Sequence, residues 1–410
     1  MTPTSSYPKL RPLNITPVSQ NGRPSLLLRD PLQLSENYVV LPHELGPALM
    51  LMDGERDVRG IHAALLVRFG LPVDRELVQR LVEVLDANYL LDNERFREAE
   101  ADALEAYRRA PFRPPALAGQ SYPDDPDRLR QLFDGLLAKA AAQDGDGPAF
   151  SHGRGVFSPH IDYPRGGHVY AAVWHRAQEM ALQADLVVLL GTDHYSAGDR
   201  LTLTRQHYAT PYGVLPTHQG IVDALAEAIG PEAAFAGELR NRGEHSLELV
   251  ATWLHHMRGG EPVEMVPVLT GSFGDFIQGQ GDPTSDPTLE AFLSTLRQQV
   301  AGRRVLVVAS GDLSHVGPAF GGRPLDAAGR QRIAAADAEL VQHLSAGSAE
   351  RFFAAIRREQ DRNNVCGVSP FYLALRLMGS DVEGQLVAYD QCPADSHNTS
   401  LVSVCGMVFG

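Results

Sequence analysis

The feature that most limits this fold is a set of short, uninterrupted apolar runs. They read VFSPH at 156–160, LVVLLG at 186–191, VEMVPVLT at 263–270, VLVVAS at 305–310 and LVSVCGMVF at 401–409. A run this short, mostly apolar and rich in β-branched residues, reads as a buried strand. Segments of helical period lie between them, at 168–183, 218–229, 286–301, 326–344 and 369–379. LTLT (201–204) and QLVAYD (385–390) add two more strands, and GSFGDFIQGQGDPTSDP (271–287) reads as an irregular loop. Strands alternating with helices predict an α/β domain whose central, largely buried sheet is flanked by helices.

The first ninety residues read differently. SLLLRD (25–30) and NYVVLP (37–42) look like strands. Val58, Ile61, Leu65 and Phe69 recur at helical spacing, and Gly70 is placed to end that helix. Asp74 is placed to cap a second helix with Leu77, Leu81 and Leu85 on one face, and Tyr89-Leu90-Leu91 reads as a closing strand. These elements predict a small α+β, winged-helix-like domain over 1–92. The charged stretch NERFREAEADALEAYRRA reads as a solvated connector helix and the Pro- and Gly-rich FRPPALAGQSYPDD that follows as a boundary, which places a helical linker over 93–115. The α/β domain would then occupy 116–410.

Composition removes several function classes. The net charge is −14 with no basic stripe, which argues against nucleic acid or a membrane surface as partner. No apolar run approaches the length of a bilayer span, and the first twelve residues do not read as a secretory leader. Three cysteines, Cys366, Cys392 and Cys405, form no disulfide framework and fit a reducing cytoplasm; without a CxxC pair, structural zinc is not expected. A dinucleotide fingerprint, a P-loop and a nucleophile elbow are all missing.

What remains is histidine at strand ends. His160 follows VFSP, His194 follows LVVLLGTD and His315 follows VLVVASGDLS. Open α/β sheets bind ligands at the carboxyl ends of their strands, so neighbouring strands would converge three imidazoles in one crevice. Imidazole is the commonest protein metal ligand. Asp312, three residues before His315, is suited to orient an imidazole, to coordinate a metal, or simply to cap a helix. Cys366, in NNVCGVSPF, lies in a turn before a helix start, where a thiolate is favoured. Cys392, in a DQCP turn after a strand, is its rival, and Cys405 reads as core. In EHSLELV, Glu244 and Glu248 read as the solvated start of a helix, with His245 an acid–base or anchoring group if it faces the crevice.

Two resemblances sharpen this reading. LMDGERDVRGIHAALLVRFGLPVDRELVQRLVEVLDANYLLD resembles PqqD-like domains, which bind peptides, and implies a peptide or protein partner at the N-terminal domain. From about 110 to 410 the chain resembles the Memo family, also labelled AmmeMemoRadiSam system protein B. The matching pieces run in order: FRPPALAGQSYPDDPDRL, SPHIDY, LLGTDHYS, TPYG, GEHSLEL, PVLTG, VVASGDLSHVG, NNVCGVSPFYLAL and SLVSVCGMVF. The resemblance implies a fold like that of class III extradiol dioxygenases, with a cysteine in place of the metal-binding glutamate. Carried over motif by motif, it implies His160, His194 and Cys366 as metal ligands, His315 as acid–base histidine and Asp312 beside it, so that Cys366 rather than Cys392 is the functional thiol. Fe(II) is the implied metal, with copper or zinc as alternatives, and the implied activity is O₂-dependent oxidation of a small molecule or peptide. A non-catalytic binding protein working with a radical-SAM or peptide-modification system, or a zinc hydrolase, are the rival readings. The sequence departs from the family's usual pattern after the first histidine, where PHIDYPRGG places Asp162, Arg165 and His168, and before the second, where it has Asp193.

Overall fold

The computed structural model describes residues 7–35, 37–144, 153–196 and 198–410; residues 1–6, on which the leader reading partly rests, lie outside them. Two compact units divide between Arg109 and Ala110.

The first unit opens with a three-stranded antiparallel sheet in the order β1 (Asn14–Gln20), β2 (Arg23–Arg29), β3 (Val39–Pro42). β1 was not expected, because its side chains are almost all exposed. Its signal is Asn21-Gly22, two residues of positive φ that close a hairpin. The helix Val58–Phe69 is capped by Asp57, which accepts from Gly60 N at 2.7 Å, and ends at left-handed Gly70 as expected. The helix Arg75–Ala87 starts at Asp74, whose side chain makes no capping bond. No closing strand forms at 89–91: Tyr89 turns to positive φ and only Leu91 bridges, to Leu10. The helix Glu94–Arg109 belongs to this unit rather than to a linker. Arg95 and Arg97 pair with Asp86 and Asp92, and Arg11 lies over the Phe96 ring.

The second unit contains β4 (Gly155–Ser158), β5 (Leu186–Thr192), β6 (Leu201–Leu203), the hairpin β7 (Tyr208–Thr210) and β8 (Gly213–Leu215), then β9 (Glu264–Thr270), β10 (Val305–Ser310), β11 (His315–Val316), β12 (Gly384–Pro393) and β13 (Leu401–Phe409). Eight of these form one mixed sheet, ordered β11-β13-β4-β10-β5-β9-β6 with β12 on β13. β4, β10, β5 and β9 run parallel and are buried almost throughout. Leu186, Val188 and Leu190 of β5 pack into one apolar cluster and Val187 and Leu189 into another, so helices cover both faces. The expected helix over 168–183 is two, Tyr163–Arg176 and Gln178–Gln183. The segment 271–287 contains a short helix, Gly274–Ile277. Cys405 lies in the core, and Cys392 sits buried within β12 rather than in a turn after it.

This topology decides the site. β10 lies between β4 and β5, so the segments leaving β4, β5 and β10 emerge side by side at one edge of the sheet. All four parallel strands finish in a small hydroxyl residue: Ser158, Thr192, Thr270 and Ser310.

Candidate metal centre

Those hydroxyls tie the site's scaffold together. Thr192 Oγ1 donates to the Cys366 carbonyl at 2.9 Å, joining β5 to the cysteine loop. Ser310 Oγ donates to the Ser246 carbonyl, and Ser246 Oγ to the Thr192 carbonyl. Gly311 lets the chain leaving β10 pass the cysteine loop, since a Cβ there would sit 2.6 Å from the Gly367 Cα.

On this scaffold the rings of His160, His194 and His245 converge, with centroids 4.6–5.2 Å apart. Cys366 Sγ lies 3.1 Å from His160 Nε2. Two groups of donor atoms are close enough to share an ion, His160 with His194 and His245, and His160 with Asp312 and Cys366; His160 is common to both. It is fully buried, whereas the His194 and His245 side chains are 27% and 36% exposed, which leaves the site open on their side.

Hydrogen bonds fix which nitrogen each ring presents. The Ser310 hydroxyl spends its proton on Ser246, so it accepts from His160 Nδ1 at 3.3 Å and leaves Nε2 facing the thiol. Glu244 Oε1 lies 3.0 Å from His194 Nδ1 and 3.1 Å from His245 Nδ1, and as a carboxylate it can only accept. His315 Nδ1 faces the carbonyls of Leu313 and Asn364, both at 3.1 Å. Every one of these four rings therefore commits Nδ1 and turns Nε2 outward, as outer partners of metal-binding histidines do.

Glu244 is the residue that sequence reasoning undervalued. It caps the helix His245–Met257, accepts from Ser246 N and from His194 N, and is buried. Burial raises its carboxyl, but His194 and His245 outweigh that and hold it well below the ordinary range. The helix it starts is not solvated, as its two glutamates suggested, but buried along nearly its whole length. Glu248, one turn on, meets Arg113 at 2.6 Å with both side chains buried. It also accepts from Ala116 N, Leu117 N and the Tyr122 hydroxyl, so the Pro- and Gly-rich FRPPALAGQSY is locked in place.

Burial, with the neighbouring imidazoles, holds His160 well below its ordinary value and therefore neutral. Burial also opposes charge on His194, but Glu244 and the Cys366 thiol raise it well above its ordinary value. The Cys366 thiol is pushed up by burial against the pull of His194, the reverse of the easy thiolate expected at a helix start. Asp312 caps no helix: its carboxylate accepts from His160 N at 2.9 Å, and burial raises it against the pull of His315. Burial lowers His315 and Asp312 opposes that shift; His315 opens β11 and belongs to neither donor group.

The departures from the family pattern fall outside both donor groups. Asp162 caps the helix Tyr163–Arg176 and pairs with Arg165, and His168 pairs with Asp390 at 3.0 Å. Asp193 accepts from buried Arg240 at 2.8 Å, and Arg240 also reaches Asp199. The Glu244 amide donates to the Arg240 carbonyl at 3.1 Å, so this ion pair holds the segment that delivers Glu244.

The His160–Cys366 pair has the spacing of two ligands of one metal ion, while His194 and Cys366 fall in different donor groups. Metal–nitrogen and metal–sulfur bonds of about 2.0–2.3 Å meeting at 90–110° place the two donor atoms roughly 3.0–3.6 Å apart, and His160 Nε2 and Cys366 Sγ already stand at such a separation. A coordinating cation would have to displace the Cys366 proton, which burial holds more tightly than usual.

A family model described as "Memo-like protein" matches residues 113–408. A MEMO1 family protein of Aquifex aeolicus is 27% identical over 98% of this chain and 99% of its own length, so the match includes the first unit. One from Thermus thermophilus is 28% identical over 73% of this chain and 83% of its own length. A relative in Archaeoglobus fulgidus is 25% identical over 73% of this chain, which is 99% of its own length. With the family model spanning nearly the whole second unit, the chain belongs to the Memo family.

Proposed function

We propose that the chain binds a redox metal through His160, His194 and Cys366 and uses it in an O₂-dependent oxidation of a small molecule or peptide in the cytoplasm. The observation that carries this reading is the common orientation of the rings, with Nδ1 committed and Nε2 turned outward, around a thiol. Two imidazoles and a thiolate suit Fe(II), or copper, and disfavour magnesium and calcium. Bound there, the metal would supply the one-electron chemistry that O₂ needs and that side chains lack.

The chain's own residues would do the rest. Glu244 accepts from Nδ1 of both His194 and His245 and so fixes the two rings. His245, at the more exposed side, anchors the substrate. His315 keeps a free Nε2, and burial lowers its proton affinity so that it stands as a neutral base, with Asp312 beside it to stabilise the imidazolium formed when it takes a proton from substrate. That only some relatives match the first unit supports giving it a separate task, recruitment of a peptide or protein partner.

Anaerobic loading with Fe(II) tests the proposal. A thiolate-to-metal charge-transfer band that vanishes in Cys366→Ser, with O₂ uptake on addition of candidate substrates, is the expected result. A wild-type protein that takes up no iron, or shows the same band without Cys366, would overturn it.

A further inference from the structure

The other end of the sheet holds a second feature. A cavity of about 480 Å³ opens where β4 and β10 begin, lined by Arg154, Arg297, Arg303 and Arg304 and flanked by the thioethers of Met180 and Met378. β10 starts in this cavity at Val305 and ends at Ser310, two residues before Asp312, so the cavity and the candidate metal centre lie roughly 20 Å apart along one strand.

Three observations give the cavity a ligand class. First, its lining includes four guanidiniums and no acid, in a chain of net charge −14. An anion repelled elsewhere on this protein is attracted here. Second, two of the four are braced and two are available. Arg154 is held by Asp381 through two bonds of 3.0 and 3.2 Å, and Arg304 by Asp185 through two of 3.1 and 2.6 Å. Arg297 donates once, to the Arg376 carbonyl, and among the described residues neither it nor Arg303 has a carboxylate partner. Third, the floor is apolar: Leu306, Val307, Leu377 and the two methionines are all buried yet line the space. A volume between about 300 and 1,000 Å³ is that of a small-molecule site. Guanidinium forks match phosphate oxygens two at a time, and methionine sulfur favours aromatic rings.

We infer that this cavity binds an organic phosphate with at least two negative charges and a flat apolar body, of the nucleoside-phosphate class. The phosphates would lie between Arg297 and Arg303, and the body on the floor between Met180 and Met378.

Calorimetric titration of the full-length protein in metal-free buffer tests this with three probes: ATP, inorganic pyrophosphate and adenosine. ATP is expected to bind best, pyrophosphate more weakly and adenosine not measurably. Arg303→Ala should weaken ATP by roughly tenfold, and Arg303→Glu should abolish binding, with thermal unfolding unchanged because that side chain is exposed. Equal affinity for ATP and pyrophosphate would overturn the role given to the apolar floor. No binding of either at millimolar concentration, or binding that Arg303→Glu leaves intact, would overturn the site.

Discussion

Replacing Glu248 by alanine should loosen the buried ion pair that holds the segment 113–122 against the site's helix. Glu248 is the counter-charge of Arg113, and both side chains are essentially unexposed. Its two oxygens also take the protons of Ala116 N and Leu117 N, both at 2.8 Å, and of the Tyr122 hydroxyl at 2.6 Å. Breaking a buried pair from one side costs about 3–5 kcal/mol, because the remaining charge is stranded. The buried Tyr122 hydroxyl, left without its acceptor, adds roughly 1–3 kcal/mol, while the half-buried amides of Ala116 and Leu117 can turn to water. Arg113 keeps its bonds to the carbonyls of Asn241 and Glu244, at 2.6 and 3.0 Å, which offsets part of the loss. The expected cost is about 4–5 kcal/mol, a large share of the roughly 5–15 kcal/mol that stabilises a typical domain. At about 2–4 °C per kcal/mol, the midpoint of thermal unfolding should fall by on the order of 10 °C or more. The double variant Glu248→Met with Arg113→Met should recover much of this, since no charge is left stranded. Urea unfolding followed by circular dichroism gives both numbers. If Glu248→Ala lies within about 1 kcal/mol of wild type, the segment 113–122 is not locked as described.

Further predictions concern the site and its supports. Glu244→Gln should lower Fe(II) affinity by about 10–100-fold, as loss of an outer carboxylate does; a chelator competition titration checks this, and unchanged affinity would remove Glu244 from the site. Gly311→Ala should destabilise by roughly 1–3 kcal/mol, because the added Cβ meets Gly367 at 2.6 Å and the Phe371 ring at 3.1 Å; a thermal midpoint equal to wild type would contradict that close approach. Burial pushes Asp361 up to about 6 from 3.8, so the folded chain holds this proton more tightly than the unfolded one. Its contribution is therefore fully present below the unfolded value and is lost as pH rises through the folded one. Asp361→Asn should remove that slope, so wild type should lose stability relative to the variant between pH 4 and 6, measured by urea midpoints; parallel curves would refute the assignment.

The sheet and its histidines were legible because their signals are local. A short β-branched apolar run such as LVVLLG reads as a buried strand, and a histidine just beyond it then sits at the sheet edge. The supports of those histidines were not legible, because each depends on a residue far away in sequence. Glu248 looks solvated until Arg113 is brought to it, and Glu244 until His194 is. Asp193 has no reading in sequence because its partner Arg240 lies 47 residues on. The hydroxyl at the end of each parallel strand was a visible signal for the scaffold that went unread. Departures at Asp162, Arg165 and His168 suggested a changed pocket, but local pairing of Asp162 with Arg165, and of His168 with Asp390, places all three outside the donor groups.

His160, His194 and Cys366 are proposed to hold a metal and His315 not to. Elemental analysis after anaerobic Fe(II) loading and desalting, on wild type and on alanine variants of these four residues, measures it directly. A single iron per chain is expected in wild type and in His315→Ala, with its loss from the other three. Iron retained in His194→Ala or Cys366→Ala at the wild-type level would contradict this assignment.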